Sequence, residues 1–224
     1  MDVEDIWRAV ERERLAVADL LAGLAPAEWE RPSLCVGWRV REVAAHLTMQ
    51  DRIGPLNPLG DVLRARGNFN RMVDATARRR AGSPPAALVA GLRAIAGSRR
   101  LGIGMKPHDA LLDTLCHGQD IAVPLGRWHP VPPGPARVAA ERVWSMGFPF
   151  GARRRLRGFR LVATDVPWTR GDGSVVSGPI AALLLLVAGR TATLGQLTGA
   201  GAVELRRRPT AAGRDHVAAR PGER

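Results

Sequence analysis

Apolar side chains in the first 125 residues recur every three or four positions, in segments that prolines and glycines separate. This spacing places them along one side of a helix, so each segment predicts an amphipathic helix. Because proline removes a helical hydrogen bond, the last helix is expected to end before Pro124. The short connections between these five segments predict a bundle with roughly four main helices. The predicted helical segments are 3–23, 38–51, 58–81, 85–96 and 108–123.

The same spacing predicts which side chains face the core of the bundle. Hydrophobic residues make up 46% of the chain but aromatic residues only 4%, so the core must consist mostly of leucine, valine and alanine, which favours packed helices. The predicted inward positions are Ile6, Val10, Leu15, Val17, Leu20 and Leu21, then Val40, Val43, Ala44 and Leu47, then Leu63, Phe69, Met72 and Val73.

The pattern changes after Pro124. A proline-rich connection leads to a predicted helix over 135–147. Alternating residues at 159–168, the Gly-Asp-Gly turn at 171–173 and the segment SVVSG that follows predict a β-hairpin. An apolar helix is predicted over 179–188.

These segments predict two domains and a tail. Residues 1–130 form the helical bundle and residues 131–208 a small α+β domain, while residues 209–224 lack periodicity and are expected to be disordered. The fold class is therefore mainly α.

The formal net charge is +12, and all but one of the 33 basic residues are arginine. Such a surface attracts anions. No aromatic residues interleave the arginine clusters, which disfavours nucleic-acid binding. Two cysteines without a CxxC motif suit a reducing cytoplasm, the amino-terminal segment does not have the pattern of a signal peptide, and the longest apolar run, 178–189, is too short to span a membrane.

One predicted helix carries a stripe of ionisable groups. At about 100° per residue, Asp109, Asp113, His117 and Asp120 fall within about 80° of one another. A solvated helix face explains such a stripe as well as a binding site does. The neighbouring Cys116 points about 100° away from His117, so the two cannot form a nucleophile and base within a helix.

His46 lies beside the apolar stripe of the second predicted helix, and a hydrogen-bonded core histidine is one interpretation of it. In a bundle, however, it can face Asp113 and His117, which are neighbours at i and i+4. Two imidazoles and one carboxylate form the ligand set of a catalytic zinc site that keeps an open position. Both cysteines, Cys35 and Cys116, are interpreted as structural.

Three segments together resemble a known family: SLCVGWRVREVAAHL at 33–47, DTLCHGQDIAVPLGR at 113–127 and GPIAALLLLVAGR at 178–190. They resemble the mycothiol-dependent maleylpyruvate isomerase-like proteins, which belong to the DinB-type four-helix metalloenzymes. The resemblance covers about residues 5–206.

The resemblance implies a divalent metal, usually zinc, at His46, Asp113 and His117, with mycothiol as thiol cosubstrate. The middle ligand of the family is typically glutamate, so Asp113 is one methylene shorter. Asp120 is a candidate to contact one of the metal ligands and fix its orientation. The metal would activate the thiol to attack a small electrophile, as an isomerase or an S-transferase does. Arg190 is a candidate clamp for an anionic substrate, or else a solvated charge at a helix end.

The same residues and fold also fit two other functions. The chain could be a non-catalytic relative that keeps the fold and binds a metal, ligand or partner. It could also be a metal-dependent hydrolase that activates water at the same three residues. A requirement for added thiol separates the mycothiol-using enzyme from the hydrolase.

Overall fold

The computed structural model describes residues 1–51, 69–102 and 104–208, without the side chains of residues 69 and 70. The predicted tail and the residues 58–68 of the third predicted helix, with Leu63, lie outside the described residues, and so does the side chain of Phe69. The described part of the chain contains ten α-helices and three strands. In chain order they are α1 (Val3–Ala22), α2 (Pro26–Trp29), α3 (Val40–Leu47), α4 (Phe69–Ala81), α5 (Pro85–Ala94), α6 (Pro107–Leu125), α7 (Pro133–Ser145), α8 (Ala152–Arg155), β1 (Phe159–Ala163), β2 (Thr169–Arg170), β3 (Ser174–Gly178), α9 (Ile180–Val187) and α10 (Ala200–Arg207).

The prediction of a mainly helical chain with a small α+β part at its carboxyl end is confirmed. The helix α1 packs against α5 and α6, and α3 packs against α4, α5 and α6. Beyond the bundle, α7 packs against both α6 and α9, and the three strands form one small sheet. No helix among the described residues is long and apolar enough to cross a membrane.

The helix α3 is shorter than predicted, and its two ends explain why. Arg39 is extended, and its backbone N–H and side chain donate to the carboxylate of Glu42, so the helix begins at Val40. At the other end the chain tightens into turns, in which the Met49 N–H donates to the His46 carbonyl at 2.9 Å. The segment after Leu47 therefore leaves the helix and turns Gln50 toward the interior, where it is buried.

The helix α6 runs through Pro124, where the sequence predicts its end. Proline cannot donate to the carbonyl of Asp120 four residues earlier. That carbonyl accepts instead from the backbone N–H of Leu34 at 3.1 Å. The helix then ends at Leu125, because Gly126 adopts a left-handed conformation (φ 64°) that suits glycine.

One predicted core position of α1 is wrong. Ile6, Val10, Val17 and Leu21 are buried as predicted, but Leu15 is 40% exposed. The neighbouring Arg14 is fully buried in its place. A pattern that sorts residues by hydrophobicity cannot anticipate this exchange, because the burial of an arginine depends on carbonyl groups from distant parts of the chain.

The sheet also differs from the predicted hairpin. Its strand order is β2-β1-β3: β1 pairs antiparallel with β2, but parallel with β3. β2 and β3 therefore lie on opposite sides of β1, and the Gly-Asp-Gly segment that connects them crosses over the start of β1. Glycine is required at Gly173, since a Cβ there would lie 2.2 Å from the carbonyl oxygen of Gly158.

Two clusters of buried apolar side chains form the core, and both include parts of α1 and α6. The first cluster joins Ile6, Val10 and Leu111 to α7, the sheet and α9. The second joins Val17 and Ile121 to α3, α4 and α5. The division into domains at residue 130 stays a prediction, and buried contacts cross that boundary.

Candidate metal centre

The helices α3 and α6 bring together the three residues that the sequence predicts as ligands. His46 lies in the last turn of α3, while Asp113 and His117 lie one turn apart on α6. Burial of Val43 and Leu47 fixes the orientation of α3 and leaves His46 at the edge of its apolar face, with 12% of its side chain exposed. The three side chains meet where α3 packs against α6.

The distances among these side chains fit a shared ion. His46 Nε2 lies 3.4 Å from Asp113 Oδ2, and His117 Nε2 lies 3.3 Å from Asp113 Oδ1. The potential ligand atoms all lie within 4.8 Å of one another. Two ligands that are each bonded to zinc at 2.0–2.1 Å with tetrahedral geometry lie about 3.3 Å apart. The spacing of the carboxylate from each imidazole therefore matches that of two ligands on one zinc ion.

The ring nitrogens of His46 support the same interpretation. Both are buried, and among the described residues neither makes a well-aligned hydrogen bond; Nε2 has only the Asp113 carboxylate nearby, at 3.4 Å. A buried polar atom without a partner costs about 1–3 kcal/mol. His46 is thus not the hydrogen-bonded core histidine that the sequence left open. Its orphaned nitrogens next to a carboxylate and a second imidazole fit a bound divalent cation.

The side chain of Asp120 orients His117. Asp120 Oδ2 lies 2.9 Å from His117 Nδ1. Because a carboxylate only accepts, the hydrogen belongs on Nδ1, and Nε2 is directed toward His46 and Asp113. A carboxylate that holds the far nitrogen of a metal-binding histidine is a common feature of metal sites.

Arg190 in turn holds Asp120. Its Nε and Nη2 donate to the two carboxylate oxygens at 3.0 and 2.7 Å, and its Nη1 donates to the carbonyl of Ala188 at 2.9 Å. The arginine follows α9 and so comes from the carboxyl-terminal part of the chain. That Arg190 binds an anionic substrate stays a prediction; its observed contacts give it a positioning role.

The charges at the site shift several pKa values. Burial alone would raise the pKa of Asp120, but Arg190 and His117 outweigh it and hold that pKa well below the usual range. Burial likewise opposes ionisation of Asp113, yet the two imidazoles bring its pKa well below normal. For His117, Asp113 and the other acceptors overcome burial and raise its pKa well above the usual value. Without a metal, these shifts favour the anionic forms of Asp113 and Asp120 and the protonated form of His117 between them.

A second group of potential ligands, Cys35, His117 and Asp120, lies behind the first. Cys35 Sγ donates to Asp120 Oδ2 at 3.0 Å, and burial and the Asp120 charge raise the pKa of the thiol. The group is less suited to a cation, because the guanidinium of Arg190 already contacts both oxygens of Asp120. We therefore place the candidate metal at His46, Asp113 and His117.

Asp109 and Cys116 of α6 both lie away from the candidate metal position. Asp109 does not reach the site; it accepts from Arg142 Nε at 2.6 Å and from the backbone N–H of Lys106. Cys116 is buried in the core, where burial raises its pKa to about 12. His117 and Asp120 are buried, so the polar stripe of this helix is not a solvated face.

The family model for the "Mycothiol maleylpyruvate isomerase N-terminal domain" matches residues 10–129, more than half of the sequence. The chain belongs to this family. The match includes His46, Asp113 and His117, while Arg190 lies beyond it. The predicted resemblance is thereby confirmed, and the chain is a member of a mycothiol-related isomerase family.

Two solved structures share the fold of this member of the mycothiol maleylpyruvate isomerase family. A crystal structure of the mycothiol-dependent maleylpyruvate isomerase aligns with a TM-score of 0.63 and 15% identity, covering 90% of this chain and 94% of that one. A histidine-to-alanine mutant of that enzyme aligns with a TM-score of 0.61, the same identity and the same coverage. At this identity the likeness shows the fold alone. No curated protein matches the sequence.

Sequence reasoning missed three residues next to the candidate ligands. Cys35 contacts Asp120, Trp38 lies beside His46 with ring centroids 5.5 Å apart, and Gln50 donates to Asp113 at 2.8 Å. Gln50 follows His46 by four positions, which is a helical interval. The i+4 spacing from His46 is therefore a sequence signal that places Gln50 near the candidate metal.

Proposed function

We propose that His46, Asp113 and His117 hold a divalent metal, with zinc the favoured ion, and that the chain is a mycothiol-using enzyme of the isomerase or S-transferase type. Its substrate would be a small, electrophilic and anionic molecule. The observation that carries this proposal is the convergence of His46 Nε2, His117 Nε2 and the Asp113 carboxylate, with the His46 nitrogens buried and otherwise unpartnered. Membership of the family supports the choice of thiol.

A bound divalent metal would lower the pKa of a thiol that contacts it, so that the nucleophilic thiolate exists at neutral pH. Residues around the candidate metal position orient its ligands and limit access to it. Asp120 keeps the hydrogen of His117 on Nδ1 and leaves Nε2 to face the centre. The ring of Trp38 lies on one side of His46 and restricts access to it from that side.

The thiol itself is expected from outside the chain. The thiols of Cys35 and Cys116 are both buried, and burial raises both of their pKa values, which favours the unreactive protonated form. These thiols are therefore poor nucleophiles at neutral pH. A small-molecule thiol that reaches the metal centre is the better candidate for the attacking group.

Metal analysis of the purified protein tests the ligand set. We expect about one zinc per chain in the wild type and less than about a tenth of that in His117→Ala, because three protein ligands are needed for a catalytic zinc site. The matched control is His108→Ala, which removes a histidine from the first turn of the same helix and should retain the metal. Absence of zinc from the wild type, or equal zinc in His117→Ala, contradicts the proposal.

An activity assay tests the use of mycothiol. Maleylpyruvate, the substrate named for the enzyme with the similar structure, is the first electrophile to supply, with and without mycothiol. Turnover that requires both thiol and metal supports the proposal. Turnover without added thiol favours a metal-dependent hydrolase. Metal binding without thiol chemistry toward a panel of anionic electrophiles favours the non-catalytic relative.

A further inference from the structure

A fully buried arginine connects three helices behind the candidate metal centre. Arg14 of α1 donates through Nη1 to the carbonyls of Ile95, Ala96 and Ser98, at 2.9, 3.2 and 2.7 Å. These carbonyls lie just beyond the end of α5, and that of Ile95 also accepts from the backbone N–H of Ser98. Arg14 therefore ties α1 to the end of α5. Its remaining contact leads to the metal centre.

That contact fixes the amide of Gln50. Arg14 Nε donates to Gln50 Oε1 at 2.9 Å. Because a guanidinium has only donors, the oxygen of the amide must face Arg14 and the NH2 group must point the other way. The Gln50 nitrogen accordingly donates to Thr114 Oγ1 at 3.1 Å and to Asp113 Oδ2 at 2.8 Å. The hydroxyl of Thr114 donates to the Ala110 carbonyl at 2.8 Å, which leaves its lone pairs to accept from the amide.

The two oxygens of Asp113 consequently have different surroundings. Oδ2 accepts a hydrogen bond from Gln50 and lies 3.4 Å from His46 Nε2, while Oδ1 lies 3.3 Å from His117 Nε2. A carboxylate on a single methylene can rotate about its last bond at little cost. The bond from Gln50 opposes that rotation, and the amide that makes it is itself held by Arg14 and Thr114.

We propose that Gln50 is a positioning residue of the metal centre: anchored by Arg14, it sets the rotation of the Asp113 carboxylate so that Oδ1 is presented beside the His117 imidazole. This inference rests on the proposed function, because it assigns a role toward the same ion. The last turn of α3 then supplies a ligand, His46, and the turn that follows it supplies Gln50, which orients a second ligand on another helix.

Metal affinity tests the role, with Gln50→Met as the variant. Methionine keeps the length and volume of the side chain but cannot donate to Asp113. Zinc affinity, measured by competition with a chelating dye, should fall about 10- to 100-fold, the range found when groups that hold metal ligands are removed. The cobalt(II) absorption spectrum, which reports coordination geometry, should change as well. Gln119→Met is the matched control: it makes the same substitution on α6, at an amide that donates to the His129 carbonyl at 2.7 Å, and should leave the zinc affinity and the cobalt spectrum close to those of the wild type.

A second variant covers the case in which Gln50→Met does not fold. Gln50→Asn keeps an amide but is one methylene too short to bridge Arg14 and Asp113, so zinc affinity should also fall. Wild-type zinc affinity together with an unchanged cobalt spectrum in a folded Gln50 variant overturns the inference and leaves the proposed function intact. A wild-type protein that binds neither zinc nor cobalt overturns both.

Discussion

Asp120 holds three side chains of the site at once. Its carboxylate accepts from Arg190 through both oxygens, contacts His117 Nδ1 and accepts from the thiol of Cys35. The side chain of Asp120 is fully buried and that of Arg190 is 10% exposed. A buried ion pair adds little stability by itself, but removing one partner leaves an uncompensated charge in the interior.

We predict from this that Asp120→Asn lowers the free energy of unfolding by about 3 kcal/mol, as expected when one member of a buried ion pair is neutralised. Asp19→Asn is the matched control, since Asp19 pairs with Arg93 but is 72% exposed. Its effect should stay within about 0.5 kcal/mol. Urea denaturation of the metal-free proteins measures both. Equal stability of the two variants would show that the buried pair does not stabilise the fold.

At the scale of one element, the start of α3 depends on Glu42. Its carboxylate accepts from the Arg39 backbone N–H at 2.8 Å and from Arg39 Nε at 3.1 Å. Burial would raise the pKa of Glu42, but these hydrogen bonds and the guanidinium charge outweigh it and lower the pKa below its ordinary value. A glutamate whose pKa is lower in the folded state stabilises the fold above its unfolded pKa, and this stability is lost as the pH falls.

Glu42→Gln should therefore cost about 1–2 kcal/mol at neutral pH, the range for loss of a helix cap. The difference from wild type should shrink as the pH falls through and below the ordinary pKa of glutamate, because the wild-type carboxylate then becomes protonated. Thermal unfolding from pH 7 to pH 3 measures this. A difference that is constant with pH would mean that the charge of Glu42 has no part in the cap.

Single elements also show which features of the site can be predicted from the sequence. Helical spacing places Asp113 beside His117, and the bundle places His46 opposite them, so the three candidate ligands follow from local pattern and fold class. The contacts that orient them do not, because Arg14, Gln50 and Arg190 contact residues of other elements that are 36 to 84 positions away in the sequence. Proline at position 124 correctly marks a broken hydrogen bond, but Leu34 supplies the missing donor and the helix continues.

Across the whole molecule, α1 and α6 contribute to both clusters of the core. The amino-terminal half of α1 packs with the part that contains the sheet, and its carboxyl-terminal half packs with α3, α4 and α5. Arg190 adds a link, because it follows α9 and contacts Asp120 on α6. The predicted boundary at residue 130 thus lies within a continuous set of buried contacts.

We accordingly predict a single cooperative unfolding transition. Tryptophan fluorescence and far-ultraviolet circular dichroism should give coincident curves in urea, since loss of either cluster exposes α1 and α6. Tryptophans in both clusters, among them Trp38 and Trp168, make the fluorescence sensitive to each. Two separated transitions would instead support independent domains over 1–130 and 131–208.

Gly118 lies beside His117 but faces the other way, toward α1. A Cβ at this position would lie 2.8 Å from His129 Nε2, 3.0 Å from Val17 and 3.2 Å from Glu13. His129 Nε2 contacts Glu13 at 2.7 Å, and both side chains are buried. The absence of a side chain on α6 thus makes room for the contact between Glu13 of α1 and His129 in the segment after α6. A relative with alanine at position 118 is therefore expected to have a residue smaller than histidine at position 129.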